Sequence, residues 1–299
     1  MIPDEKPPAE GAAAAGPERQ TTPFLVLQFF IFPMAIVAVC VAVFVIFGMI
    51  AAEGKGPREY LAEVRTGSAN RRWQAAFELS KVLQARKDPV LKDPAFTAEL
   101  TSLFEQSASD DPRVRRYLAL ALGRLGNARA VPALLRAAKG SGESPADSET
   151  QIYSIWALGA IRDPAALPGL RELAQADDAG VRKAAVHALG SFADPGAGEA
   201  LAAALSDPVE DVRWNAALAL ARRRDARVAP VLLQMMDRAH LATIAGLTPE
   251  QREDAIEQGA AAAGGVDDPA VRRALESLRD SDNSPKVREA ARRALAPQP

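Results

Sequence analysis

One cysteine and two histidines are all that 299 residues contain of the softer metal ligands. An intrachain disulfide and a cysteine-based zinc cluster are therefore excluded, and little is left for a histidine-rich metal site. Aromatic residues make up 5%, too few for a sheet sandwich or barrel, which draws on aromatic and β-branched side chains. Neither sign of charge is in excess. Basic residues number 36 and acidic residues 38, for a net charge of -2, which argues against a generic polyanion binder resting on surplus Lys and Arg. No Gly-rich phosphate loop, H-E-x-x-H or G-x-S-x-G string occurs. What is abundant is alanine, the best helix former, and the composition points to an all-α chain.

Residues Phe24 to Ile50 read FLVLQFFIFPMAIVAVCVAVFVIFGMI, without a charged side chain. A helix of that length spans roughly 40 Å, more than the ~30 Å hydrocarbon core of a bilayer. The run is predicted to be a single transmembrane helix over 24–50. It is too long for a cleavable signal peptide, and the tail before it is acidic. Gln28 and Pro33 fall in its first third, near an interface. Ala38 and Ala42 form a small-xxx-small pair, and Cys40 reads as a small hydrophobe in the apolar run. The tail, residues 1–23, is rich in Pro, Ala, Gly and Glu and is expected to be disordered. Residues 51–56 form a linker. Lys55, Arg58, Arg65, Arg71 and Arg72 follow the run, against Lys6 and Arg19 before it. This bias favours a membrane protein whose C-terminal domain is cytoplasmic.

The remainder, 57–299, repeats itself. VRRYLALALGRL (114–125), VRKAAVHALGSF (181–192) and VRWNAALALARR (212–223) share the pattern V-R-x-x-A/L-A-x-A-L-G/A. Weaker copies start at 71, 150, 255 and 287. Their leucine column is Leu79, Leu122, Leu158, Leu189, Leu220, Ala263 and Leu295, at steps of 31 to 43 residues. Each copy follows a second amphipathic segment, beginning at 58, 94, 128, 164, 196, 227 and 269. Asp163-Pro164, Asp194-Pro195 and Asp268-Pro269 read as helix starts, Asp as the cap and Pro in the first turn. In the fourth copy Val181, Ala184, Ala185, Ala188, Leu189 and Phe192 follow helical spacing on one face. The alanines keep that face thin. Gly123, Gly159 and Gly190 mark a close helix crossing or a helix end. One such pair cannot bury its own apolar face, whereas a stack of about seven can, so an α-solenoid is expected.

The repeated Asp-Pro turns and V-R-x-x-A-x-x-A-L-G strings resemble the HEAT-repeat superfamily, most closely the short bacterial type also seen in phycobilisome lyase-like proteins. The resemblance covers roughly 57 to 296. Thr150-Gln151 and Ala255-Ile256 depart from Val-Arg, and insertions lie near 84–93 and 239–249. The resemblance implies that the arginine column (Arg72, Arg115, Arg182, Arg213, Arg288) pairs with acidic residues of neighbouring turns, among them Asp110, Asp111, Asp177, Asp178, Asp207 and Asp211. It also implies that the second helix of each pair lines the inner face.

On that helix, positions +2 and +6 from the Val point ~200° and ~240° around the axis, away from the core. They read Trp73/Phe77, Arg116/Leu120, Ile152/Trp156, Lys183/His187 and Trp214/Leu218, and include all three tryptophans. Two readings stand: a partner groove for a peptide or helix, or packing against the next second helix. His187 and His240 lack a companion ligand, and the acidic pairs cap turns. Without the tail, the charges balance, unlike a DNA-binding superhelix. The expectation is a membrane-anchored adaptor or scaffold with a protein partner. It needs no cofactor, no nucleic acid and no small-molecule substrate. The alternatives are a bilin-lyase-like enzyme, which the resemblance alone suggests and the lack of a cysteine in the repeats disfavours, and a structural subunit of a membrane complex.

Overall fold

The computed structural model describes residues 31–51, 55–85, 89–140 and 145–296, with the backbone alone at 47–51 and 145–147. The expected disordered tail, and residues 24–30 of the expected span, lie outside the described residues. The chain divides into two units, Met1–Lys55 and Gly56–Pro299.

In the first unit, helix α1 runs Phe32–Ala51, with no acidic residue in its first turn and no basic residue in its last. Pro33 is the second residue of this helix. From Ile31 to Ile46 every side chain is exposed. No helix among the described residues is long and apolar enough to cross a membrane, so the transmembrane helix expected over 24–50 is not supported there.

The second unit is all-helical among its described residues. It comprises α2 (Pro57–Thr66), α3 (Ala69–Gln84), α4 (Pro94–Gln106), α5 (Pro112–Leu125), α6 (Val131–Lys139), α7 (Pro145–Ile161), α8 (Leu167–Leu173) and α9 (Ala179–Leu189). It continues with α10 (Pro195–Ala204), α11 (Glu210–Ala221), α12 (Ala229–Met236), α13 (Arg238–Thr243), α14 (Pro249–Ala263), α15 (Pro269–Ser281) and α16 (Pro285–Leu295). These are seven antiparallel pairs, α2/α3 through α15/α16, with α13 inserted in the sixth. The expected Asp-Pro starts are present. Asp163 accepts from the Ala165 amide, Asp194 from Gly196 and Ala197, and Asp268 from Ala270 and Val271, so each satisfies amides a helix start leaves open. The insertion ends in a capping box between Thr248 and Gln251.

One continuous core runs the length of the stack, from Leu61 to Ala294. Successive second helices lie closely against one another, whereas successive first helices touch at few places. Rows packed tightly on one side and loosely on the other must curve, and the second helices form the inner row. The glycines set that spacing. A Cβ on Gly123 would lie 2.8 Å from the Cα of Ala157, one on Gly159 2.9 Å from the Cα of Ala188, and one on Gly190 2.9 Å from the Cβ of Ala219. Gly264 meets Ala294 in the same way, at 2.9 Å. In the fifth pair Ala221 stands at this position, and α11 meets α14 over a smaller area than other neighbours.

The arginine ladder forms in part. Arg72 pairs with Asp110, and Arg182 holds Asp207 through Nε at 2.8 Å and Nη2 at 3.1 Å. Arg213 pairs within its own helix with Glu210 at 3.0 Å. Arg115 lies over the Phe104 ring, 5.4 Å from its centre. A second duty is shared by four of the column: Arg182, Arg213 and Arg288 donate to carbonyls of the turn inside their own pair, and Arg72 to the Val64 carbonyl in the last turn of α2. The sixth pair lacks this arginine because Ile256 takes its position. Arg238 of the inserted α13 supplies one instead, gripping Asp282 of the next turn at 2.8 and 2.7 Å.

Candidate functional site

Helices α7, α9 and α11 lie side by side in the inner row and enclose a depression of about 450 Å³. Its walls are Glu149, Ile152, Tyr153 and Trp156 from α7, Gly180, Lys183, Ala184 and His187 from α9, and Asn215 from α11. Trp156 is 45% exposed, although it belongs to a residue type that solenoid cores absorb readily. Tyr153 stacks obliquely beside it, ring centres 5.3 Å apart. The rim is charged on both signs but internally neutralised. Lys183 pairs with Asp211 and Glu149 with Arg116. Asn215 Nδ2 donates to the Asp211 carbonyl at 2.7 Å, which leaves its side-chain oxygen for an incoming donor.

The ten stripe residues thus divide. Ile152, Trp156, Lys183 and His187 come together around this depression. Phe77, 37% exposed, instead forms an edge-to-face pair with Tyr117 at 5.1 Å, with Lys81 over its ring. Trp73 is half-buried under Arg113, whose guanidinium carbon stands 4.6 Å from the ring centre. Trp214 and Leu218 are half-buried against the core, Leu120 is half-buried, and Arg116 is tied to Glu149 and to the Pro112 carbonyl. The stripe therefore packs at its ends and leaves an open aromatic surface at its middle.

Counting two positions per turn overlooked half of the lining. Glu149 and Gly180 stand at −1 from the Val position, ~260° around the helix, inside the same sector. Tyr153, Ala184 and Asn215 stand at +3, ~300°, and reach the depression because the neighbouring helix is near. His240 sits on α13 away from these walls, its Nε2 buried without a hydrogen-bond partner. No group of His, Cys, Asp and Glu able to hold a metal occurs among the described residues.

The fold is that of a helical-repeat solenoid with an open aromatic depression on its inner row. The model of the HEAT-repeat family matches residues 97–189, 143–211 and 176–248, which together take in half of the chain, and the chain belongs to that family. No curated protein matches it in sequence. Among solved structures, it is similar to the complex of CpcE and CpcF of phycocyanin lyase from Nostoc sp. PCC7120, at 21% identity and a TM-score of 0.51, over 80% of this chain and 93% of that one. It is also similar to the Escherichia coli protein YibA, at 17% identity and a TM-score of 0.47, over 81% of this chain and 93% of that one. Likeness at such identity shows the fold alone.

Proposed function

We propose that the protein is a membrane-anchored HEAT-repeat adaptor that binds a protein partner in the depression around Trp156. The observation that carries the reading is the exposed Trp156 beside Tyr153 on the inner row, in a solenoid whose other large apolar side chains, Phe77 excepted, are covered among the described residues. An aromatic anchor in a depression ringed by paired charges is the kind of surface that dominates binding energy. The lining offers one free amide oxygen and an imidazole, and it suits a peptide or helix with an apolar side chain flanked by donors. The lyase-like alternative rests on fold alone.

Anchoring rests on the uncharged sequence run Phe24–Ile50. The charge bias across that run favours a cytoplasmic solenoid. A tether confines the solenoid near the bilayer, so a groove of modest affinity suffices for a partner held at the same surface.

Trp156→Ala is expected to weaken partner recovery on the immobilised solenoid by about thirtyfold, the scale of one aromatic hot spot. Its thermal midpoint should stay close to wild type, because the indole is exposed. Trp214→Ala should instead lower the midpoint, since that indole packs on the core. Full recovery with Trp156→Ala would end the groove reading.

A further inference from the structure

The two edges of the solenoid differ in how their charges are engaged. At the edge formed by the turns inside each pair, the cations of the ladder are matched to carboxylates: Arg72 to Asp110, Arg182 to Asp207 and Arg238 to Asp282. The opposite edge carries the turns between pairs and the starts of the first helices. There Arg129, Arg162, Arg222 and Arg224 are exposed and form no ion pair among the described residues. Of the aspartates of that edge, Asp267 is exposed without an ion pair among the described residues and the others are engaged. Asp163, Asp194 and Asp268 accept backbone amides at helix starts, and Asp225 is held by Arg227 at 2.7 Å. Arg223 and Arg124 are consumed by carbonyls of the preceding pair.

Two of the free arginines stand on unfavourable backbone. Arg162 has φ 58° and Arg224 φ 57°, the left-handed region that Gly126 occupies, at φ 70°, in the corresponding place of the second pair. Glycine adopts this conformation without strain and arginine does not. A strained backbone carrying an unpaired exposed charge points to a use for the charge. The chain also enters the solenoid on this edge, at Gly56, a few residues after the apolar segment ends, and Arg58 there pairs with Asp93 at the start of α4.

We propose that the edge bearing Arg129, Arg162, Arg222 and Arg224 docks onto anionic lipid headgroups, whose phosphates the free guanidinium groups contact. This rests on the membrane-anchored reading for the nearness of a bilayer. A solenoid without net charge overall gains affinity for an anionic surface only through an edge where cations are free and most anions are engaged. The guanidinium fork matches a phosphate in two parallel hydrogen bonds, which lysine does not.

The test uses residues 56–299, a compact unit with its own core, and sedimentation with vesicles of phosphatidylglycerol and phosphatidylcholine or of phosphatidylcholine alone. The solenoid should partition onto the anionic vesicles, less so as salt rises, and not onto the neutral ones. Arg162→Gln with Arg224→Gln should reduce partition about twenty-five-fold, at about fivefold for each arginine. Lys286→Gln, an exposed cation on the other edge, should leave it unchanged. Equal partition to neutral vesicles, or an equal loss with Lys286→Gln, would overturn the proposal. Alkaline carbonate extraction of the full chain from membranes tests the anchor separately. A full chain that is extracted, beside a solenoid that still binds anionic vesicles, defeats the anchor and spares the edge. A retained full chain beside an unbound solenoid does the reverse.

Discussion

Gly159→Val is expected to destabilise the solenoid by about 3 kcal/mol or more, toward the upper end of overpacking effects. A Cβ at this position lies 2.9 Å from both the Cα and the Cβ of Ala188. Backbone cannot yield as a flexible side-chain tip does, so α7 and α9 must separate. The damage has a particular form. In a stack whose units touch only their neighbours, stability is a sum of unit and interface terms. Forcing apart one interface uncouples the pairs before it from those after it. Thermal unfolding followed by circular dichroism should therefore fall by several degrees and broaden or split. Gly56→Val is the control. Nothing lies within 4 Å of a Cβ there, and its φ of -72° suits any residue. Equal melting of the two variants would show that the inner-row spacing is not set by glycine.

Asp207→Ala should cost about 3 kcal/mol, the scale for leaving one member of a buried pair alone. The side chains of Arg182 and Asp207 are 13% and 8% exposed. Removing the carboxylate strands the guanidinium between two helix pairs. It also frees the Val209 amide, which donates to Asp207 Oδ1 at 2.9 Å. The surface pair Arg272–Glu276 offers a contrast, since exposed pairs contribute at most about 1 kcal/mol. The pH dependence follows from the same contacts. The hydrogen bonds from Arg182 hold the Asp207 carboxyl below the ordinary carboxylate range, and Arg238 does so for Asp282. A lowered folded value means stability that is complete above the unfolded value of about 3.9 and is lost as pH falls through the folded value. The gap between wild type and Asp207→Ala, measured in denaturant, should be constant near neutrality and shrink on acidification below that range. A gap that widened in acid would contradict this assignment of charge.

The architecture was legible in the sequence because each pair states it again. The leucine column, the Asp-Pro starts and the glycines are local rules, and stacking repeats their geometry without long-range contacts. What the sequence concealed depends on neighbours. Arg238 takes the part of the arginine missing at Ile256, and only the path of the inserted α13 brings it to Asp282. The stripe at +2 and +6 identified Ile152, Trp156, Lys183 and His187. Tyr153 and Asn215 join them because the adjacent helix closes the angle that a single helical wheel leaves open. The three tryptophans look alike in sequence and differ in burial, since Trp73 lies beneath Arg113 and Trp214 against the core, while Trp156 has no such cover.

Site-specific photocrosslinking, with a photoreactive residue at position 156 of the full chain in its native membranes, tests the partner groove most directly. The account predicts one dominant protein adduct from position 156. A residue at Glu276, on the exposed side of α15, should yield none. No adduct from position 156, or the same adducts from both positions, would contradict the groove as the binding surface.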